Sequence, residues 1–335
     1  MSLTLGAAAV SPADRGAAAL RAPAHLAEGI AALAWLAAAA VALTSDDVGD
    51  YGYTPEFAVL LAAFGVAVIT AAALGRVLPS FGARLRHAAP WLTVLGVLIG
   101  TWEVITAKTG LLPMPFFPPP QAILEVYLDD YARLAESVLA SAKLLAVGYL
   151  FGAAAGFALG VSIGWSRVVS YWTHPILRFV GPLPATAWIP IAFFVFPSSW
   201  SASTFLIALA TGFPVTVLTW SGVASVNTGY YDVARTLGAS RTFLVLRVAI
   251  PAALPHVFVG LFMGLGASFS VLVVAEMLGV KAGVGWYLQW AQGWASYANM
   301  YAALIVMALA CSGLITALFK LRDWRLGWQK GVVRW

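Results

Sequence analysis

Charge is what this sequence has least of. Of its 335 residues, 10% are Asp, Glu, Lys or Arg while 61% are hydrophobic, and the mean hydropathy is +0.87. Soluble domains carry about 25% charged residues, so a water-solvated globule is excluded and an integral membrane protein is expected. Cysteine is nearly absent too. Cys311 stands alone in an apolar run, which excludes a disulfide framework or thiolate metal site and leaves a small buried apolar residue. No His, Cys, Asp or Glu group has metal-ligand spacing, and no nucleophile and base form a hydrolytic pattern, so neither a resident cofactor nor a membrane-embedded enzyme is expected. The sequence contains no Gly-Lys dipeptide, which excludes a phosphate-cradling loop of the Walker type. A net charge of +5 would suggest nucleic acid in a soluble protein. Here the basic residues lie in loops between apolar runs, where membrane topology explains them and nucleic acid does not.

What is present is a series of long apolar runs. About 20 helical residues cross a hydrocarbon core of roughly 30 Å, and only helices pair all their backbone groups economically there. Eight spans are expected, near 27–44, 57–75, 91–108, 142–165, 177–197, 203–221, 256–279 and 299–319. The first exceeds a typical secretory signal core and is followed closely by a second, so it reads as a retained anchor. Lysine and arginine favour the cytoplasmic side of short loops. With the N-terminus inside, Arg15, Arg21, Arg76, Arg84, Arg86, Arg167, Arg178, Arg235, Arg241, Arg247, Lys320, Arg322, Arg325, Lys330 and Arg334 all fall inside. Only Lys108, Arg133, Lys143 and Lys281 fall outside, among many acids. Both termini are therefore expected in the cytoplasm.

The outer segment 109–141 opens with Pro113, Pro115, Pro118, Pro119 and Pro120, and then places Ile123, Leu124, Tyr127, Leu128, Tyr131 and Leu134 at helical spacing. An amphipathic helix over 121–136 lying along the outer surface is expected. Gly148, Gly152, Gly156, Gly160 and Gly164 recur every four residues, a stripe that lets another helix approach closely, within or between subunits.

The polar segment 222–255 interrupts the apolar pattern. Asn227 and Thr228 can start a helix, Tyr230, Val233 and Leu237 share one face, and Asp232 lies three residues before Arg235. Gly238-Ala239-Ser240 breaks that helix, and Ser240 can cap a second short one from Arg241 to Ala249 before Pro251 and Pro255. By physics alone this is an amphipathic helix on an elbow, or an ordinary cytoplasmic loop.

The acid-x-Ala of Asp232-Val233-Ala234, Gly238 four residues later and then Val248-Ala249-Ile250-Pro251 resemble the cytoplasmic signature of permease subunits of bacterial ABC importers. In that family Glu-Ala-Ala is usual where this chain has Asp-Val-Ala. Over roughly residues 90–330 the chain resembles the nitrate, sulfonate, taurine and bicarbonate branch. The matching residues are Trp102-Glu103, Pro118-Pro119-Pro120, Gly160 to Arg167, Pro182-Leu183-Pro184-Ala185-Thr186-Ala187-Trp188-Ile189-Pro190, Pro251 to Pro255 with Gly260, and Val274-Ala275-Glu276-Met277.

The resemblance implies an all-α polytopic protein of the type I importer permease fold. Residues 90–335 would form a six-span core, and 1–89 an extension of two further spans. Segment 228–240 would be a coupling helix, with Tyr231, Asp232, Val233, Ala234, Arg235, Leu237, Gly238, Ala239 and Ser240 meeting a separate ATPase. It implies two ATPase subunits that hold ATP and Mg²⁺, a second permease copy, and a substrate-binding protein that delivers a small oxyanion. In that setting Pro182, Pro184 and Pro190 free backbone carbonyls, which membrane proteins tolerate where irregular backbone is buried or lines a wet cavity. Pro184, Thr186, Trp188, Pro190, Thr211 and Glu276 are the lining candidates, although kinks that only aid packing would look the same. Intramembrane acids default to functional hypotheses, so Glu103 and Glu276 are either gating residues or structural acids. His174 and His256 read as ordinary interfacial histidines. An ATP-independent secondary transporter or channel would want more intramembrane charge and an inverted repeat.

Overall fold

The computed structural model describes residues 24–329; Arg15, Arg21, Lys330, Arg334 and both chain termini lie outside the described residues. Every regular element among those residues is helical. In chain order they are α1 (Ala24–Thr44), α2 (Thr54–Val77), α3 (Pro79–Lys108), α4 (Pro120–Asp129), α5 (Tyr131–Trp165), α6 (Arg167–Val180), α7 (Ile189–Val195), α8 (Ser199–Ala224), α9 (Thr228–Thr236), α10 (Arg241–Leu278), α11 (Val284–Gly293) and α12 (Tyr297–Arg325). Seven of these, α1, α2, α3, α5, α8, α10 and α12, are long and apolar enough to cross a membrane. The fifth expected span is not one helix. Residues 177–197 divide between α6 and the pair Ala185–Trp188 and α7, with a bend of 88° between them. Pro182, Pro184 and Pro190 crowd into this stretch, and each removes a donor that a continuous helix needs.

The chain forms two compact units, residues 1–129 and 130–335. In the first, α1, α2 and α3 pack around Trp35, which is buried, stacks on Phe64 at 5.0 Å and donates its Nε1–H to the Leu92 carbonyl at 3.0 Å. The third span begins at Pro79 rather than 91, because Pro79 suits a first turn and Leu78 alone connects α2 to it. Gly75 and Gly82 face each other there, and a Cβ on Gly75 would come within 2.8 Å of Gly82 Cα. Residue 90, where the six-span core was expected to begin, lies inside α3. Lys108 closes one end of this bundle. Its ammonium pairs with Asp47 at 2.8 Å and donates to the carbonyls of Ala42 and Ser45, each at 2.8 Å, so that it caps the C-terminal end of α1.

The amphipathic helix expected over 121–136 is two helices. It ends at Asp129, and α5 runs unbroken from Tyr131 for 35 residues. The two aspartates at the break are committed to different partners: Asp129 accepts from Tyr53 at 2.7 Å, and Asp130 from Tyr287 at 2.8 Å.

In the second unit α8 lies between two glycine faces. The stripe from Gly148 to Gly164 on α5 meets one side of it, where a Cβ on Gly156 would approach the Gly212 carbonyl to 2.6 Å. Gly260 and Gly264 of α10 meet the other side, where an added Cβ would come to 3.0 Å from Val215 Cα and from the Thr211 carbonyl respectively. The tight packing expected from the stripe is therefore made inside the subunit. Around these contacts Leu144, Leu145, Leu206, Ile207 and Leu272 form the core. Cys311 is half-buried on α12 rather than buried.

Candidate functional site

The polar segment folds as a short helix with both ends closed. Asn227 Oδ1 accepts the Gly229 N–H at 2.8 Å and starts α9. At the other end Gly238 has φ +82, its N–H bonds the Arg235 carbonyl at 2.9 Å, and the Ala239 N–H bonds the Ala234 carbonyl at 3.0 Å. These two reversed bonds are a Schellman stop, which needs a residue tolerant of left-handed backbone at the position Gly238 occupies. Ser240 accepts the Phe243 N–H at 3.3 Å. The second short helix expected over Arg241–Ala249 is instead the first part of α10. The π-helical turns at Leu244–Ala249 run straight into Ile250, a register that accommodates the donor missing at Pro251 without a break.

The faces of α9 differ sharply. Tyr230, Val233 and Leu237 are 64%, 63% and 83% exposed, an apolar row turned away from its own chain. Tyr231 faces the other way. Its ring packs edge-on against Trp165 at 5.8 Å, beside a cluster of Val223, Ala249 and Ala253, and burial raises the pKa of its hydroxyl. Asp232 and Arg235 pair at 3.3 Å in the open. Ala234 and Ala239 are half-buried, and Ser240 is exposed.

The proline-rich stretch borders a cavity of about 540 Å³. Pro184 and Thr186 lie on its wall, with Phe213 from α8 and Met263, Ala267 and Ser270 from α10; no lining residue is charged. Trp188 packs against the core, and its Nε1 has no hydrogen-bond partner among the described residues. Pro190 is exposed on the first turn of α7. Thr211 is fully buried, 2.5 Å from the Ser268 hydroxyl and 2.9 Å from the Ile207 carbonyl, and joins α8 to α10 beside the wall residue Ala210. Phe213, Met263 and Ser270 were missed in sequence, because spans apolar on every side give no period that marks an inward face.

The two intramembrane acids sit in different settings. Glu103 is fully buried in the first unit, 3.8 Å from Lys108. Glu276 is 1% exposed and accepts the Ser141 hydroxyl at 2.7 and 2.9 Å and the Gly285 N–H at 2.8 Å. Ser141 in turn accepts the Val284 N–H at 2.8 Å. Together they satisfy two of the free donors at the start of α11. No group of three or more His, Cys, Asp or Glu suited to a metal ion occurs among the described residues.

Residues 139–325 match the family model described as binding-protein-dependent transport system inner membrane component. The chain is 30% identical to the nitrate import permease protein NrtB of Leptolyngbya laminosa, with 71% of this chain and 85% of the relative covered. It is 29% identical to the bicarbonate transport system permease protein CmpB of Synechococcus elongatus, covering 68% and 84%. It is 28% identical to a Bacillus subtilis permease named for aliphatic sulfonates transport, SsuC, covering 71% and 88%. With seven unbroken candidate spans and one broken one among its described residues and a family match over more than half its length, the chain belongs to the inner-membrane permease components of ABC transporters.

Proposed function

We propose that this chain is the pathway-forming subunit of an ATP-driven importer for a small oxyanion, and that α9 is the helix by which a separate ATPase drives it. The observation that carries the reading is the exposed row Tyr230, Val233 and Leu237 on a helix whose opposite face is anchored through Tyr231. Apolar side chains held out on a rigid, doubly closed helix are a surface shaped for a partner. The absence of any Gly-Lys dipeptide gives that partner its task, since ATP and Mg²⁺ must be held elsewhere.

The full assembly would pair two copies of this permease with two ATPases, and a substrate-binding protein would deliver cargo from the outer side. Nitrate, bicarbonate and sulfonate are the cargoes suggested by the names of its relatives. The cavity beside Pro184 and Thr186, uncharged and bordered by irregular backbone, is the proposed wall of the pathway. Its lack of an arginine leaves selectivity largely to the delivering protein.

Co-expression with the cognate ATPase tests the reading. The two are expected to co-purify from detergent, and Leu237→Asp should reduce the ATPase recovered at least tenfold while membrane levels of the permease hold. Uptake that persists without ATP, with no ATPase recovered, would establish a secondary transporter or channel instead.

A further inference from the structure

The helix α11 has ten residues, about half of what a bilayer crossing requires, yet side-chain hydrogen bonds tie it into the second unit at its start and along its length. At its start the Val284 N–H bonds Ser141 Oγ at 2.8 Å, the Gly285 N–H bonds Glu276 Oε2 at 2.8 Å, and the Ser141 hydroxyl donates to the same carboxylate at 2.7 Å. An acceptor at a helix N-terminus satisfies donors the helix leaves free, and this one is 1% exposed, so little water competes for its donors. The backbone is cut to fit. Gly283, at φ +117, lies directly against the Glu276 carboxyl group, and a Cβ on Gly285 would come within 2.8 Å of Glu276 Cβ.

Further along, Tyr287 is fully buried and donates to Asp130 Oδ2 at 2.8 Å, while Asn299 Nδ2 donates to the tyrosine hydroxyl at 2.5 Å. Burial raises the Tyr287 pKa well above the usual phenol range, which keeps it a donor. Arg133 lies 4.6 Å over the Trp290 ring. Glu276 itself belongs to α10, which runs for 38 residues from Arg241, the residue after the Ser240 cap. At about 1.5 Å per residue that is a strut of roughly 57 Å with the proposed ATPase contact at one end and the carboxylate at the other.

We infer that Glu276 and Ser141 are positioning residues for transport: they lock α11 to the far end of α10, so that displacement of the α9 segment is delivered to α11 as a single body. The far end of the strut is fixed by specific hydrogen bonds and its near end follows α9 directly through the Ser240 cap, so the coupling has a defined mechanical element rather than a diffuse path. This inference rests on the reading of α9 as the ATPase contact.

The test uses the permease with its ATPase in nanodiscs. A spin label is placed at Trp294→Cys, just beyond α11, in a Cys311→Ser background. The distance between the two copies is measured by pulsed electron resonance, nucleotide-free and trapped with ATP and vanadate. A shift between the two states is expected in the parent protein. Glu276→Ala and Ser141→Ala should retain assembly and basal ATP hydrolysis but lose more than half of that shift or broaden the distribution, and Glu276→Gln, which keeps an acceptor for the Gly285 N–H, should restore most of it. Should Glu276→Ala not assemble, Ser141→Ala carries the same comparison. An undiminished shift in the assembled alanine variants overturns the inference, as does a parent protein whose α11 does not move while its ATPase turns over. Failure of the parent permease to bind any ATPase would strike the proposed function itself.

Discussion

Gly238 shows how one residue can be read from sequence through to consequence. Its φ of +82 and the paired bonds to Arg235 and Ala234 make it the stop of α9, while a Cβ there would meet nothing within 4 Å. The constraint is therefore backbone conformation alone, and side-chain volume is free. A left-handed non-glycine residue costs about 1–2 kcal/mol, less for Asn. Gly238→Val is expected to tilt or fray the helix end and cut transport-coupled ATP hydrolysis about tenfold, with insertion and thermal stability close to the parent. Gly238→Asn should remain near wild-type, and equal losses in the two variants would show that bulk at the partner surface, not backbone, sets the requirement. This residue was legible because glycine after a capped amphipathic turn has few other uses. The partners of Glu276 were not: Ser141 lies 135 residues away, and nothing local to either position signals the pair.

Among the elements, α5, α8 and α10 depend on glycine in a way that separates packing from propensity. Without a hydrophobic drive between helices in lipid, close backbone approach supplies the attraction. On α5, Gly160 faces the Thr216 carbonyl, which a Cβ would approach to 2.6 Å; on α10, Gly266 is exposed with nothing within 4 Å. Gly160→Leu should force α5 and α8 apart, at a cost of about 1–3 kcal/mol or more for overpacking. Its expected signature is a large drop in the apparent melting temperature of the detergent-purified protein. Gly266→Leu should leave it within a degree or two, and similar effects at both sites would mean the stripe is not the packing seam. The four-residue spacing made the seam visible in sequence, but not which helix would fill it. In the stretch 177–197 the sequence showed apolar length and three prolines that free carbonyls, but not how far the chain would turn. Pro182 and Pro184 lie in the break where it bends by 88°, and a hydropathy count does not register the donors they lack. The continuity of α10 through Pro251 was hidden for the converse reason, since the π-helical register at Leu244–Ala249 leaves no mark in composition.

At the scale of the whole molecule, the bend at residues 181–184 decides the parity of the topology. If α6 and α7 together cross the membrane, there are eight crossings; if they form a re-entrant loop, there are seven. Seven crossings, with the start of the chain inside, would put Arg235, Arg241, Arg247, Lys320, Arg322 and Arg325 on the side that already holds Asp46, Asp47, Asp50, Glu125, Asp129 and Glu136. Lysine and arginine in short loops strongly favour the cytoplasmic side, so eight crossings is the arrangement the charges support. It also places α9 where an ATPase can reach it. Reporter fusions check this directly. A phosphatase joined after Ser198 should be active and one joined after Asn227 inactive, since the first follows the completed crossing and the second the return through α8. A fusion beyond Trp328 should be inactive as well. The opposite pattern at Ser198 and Asn227 would make the proline-rich stretch re-entrant, move α9 outside, and remove the ATPase as its partner.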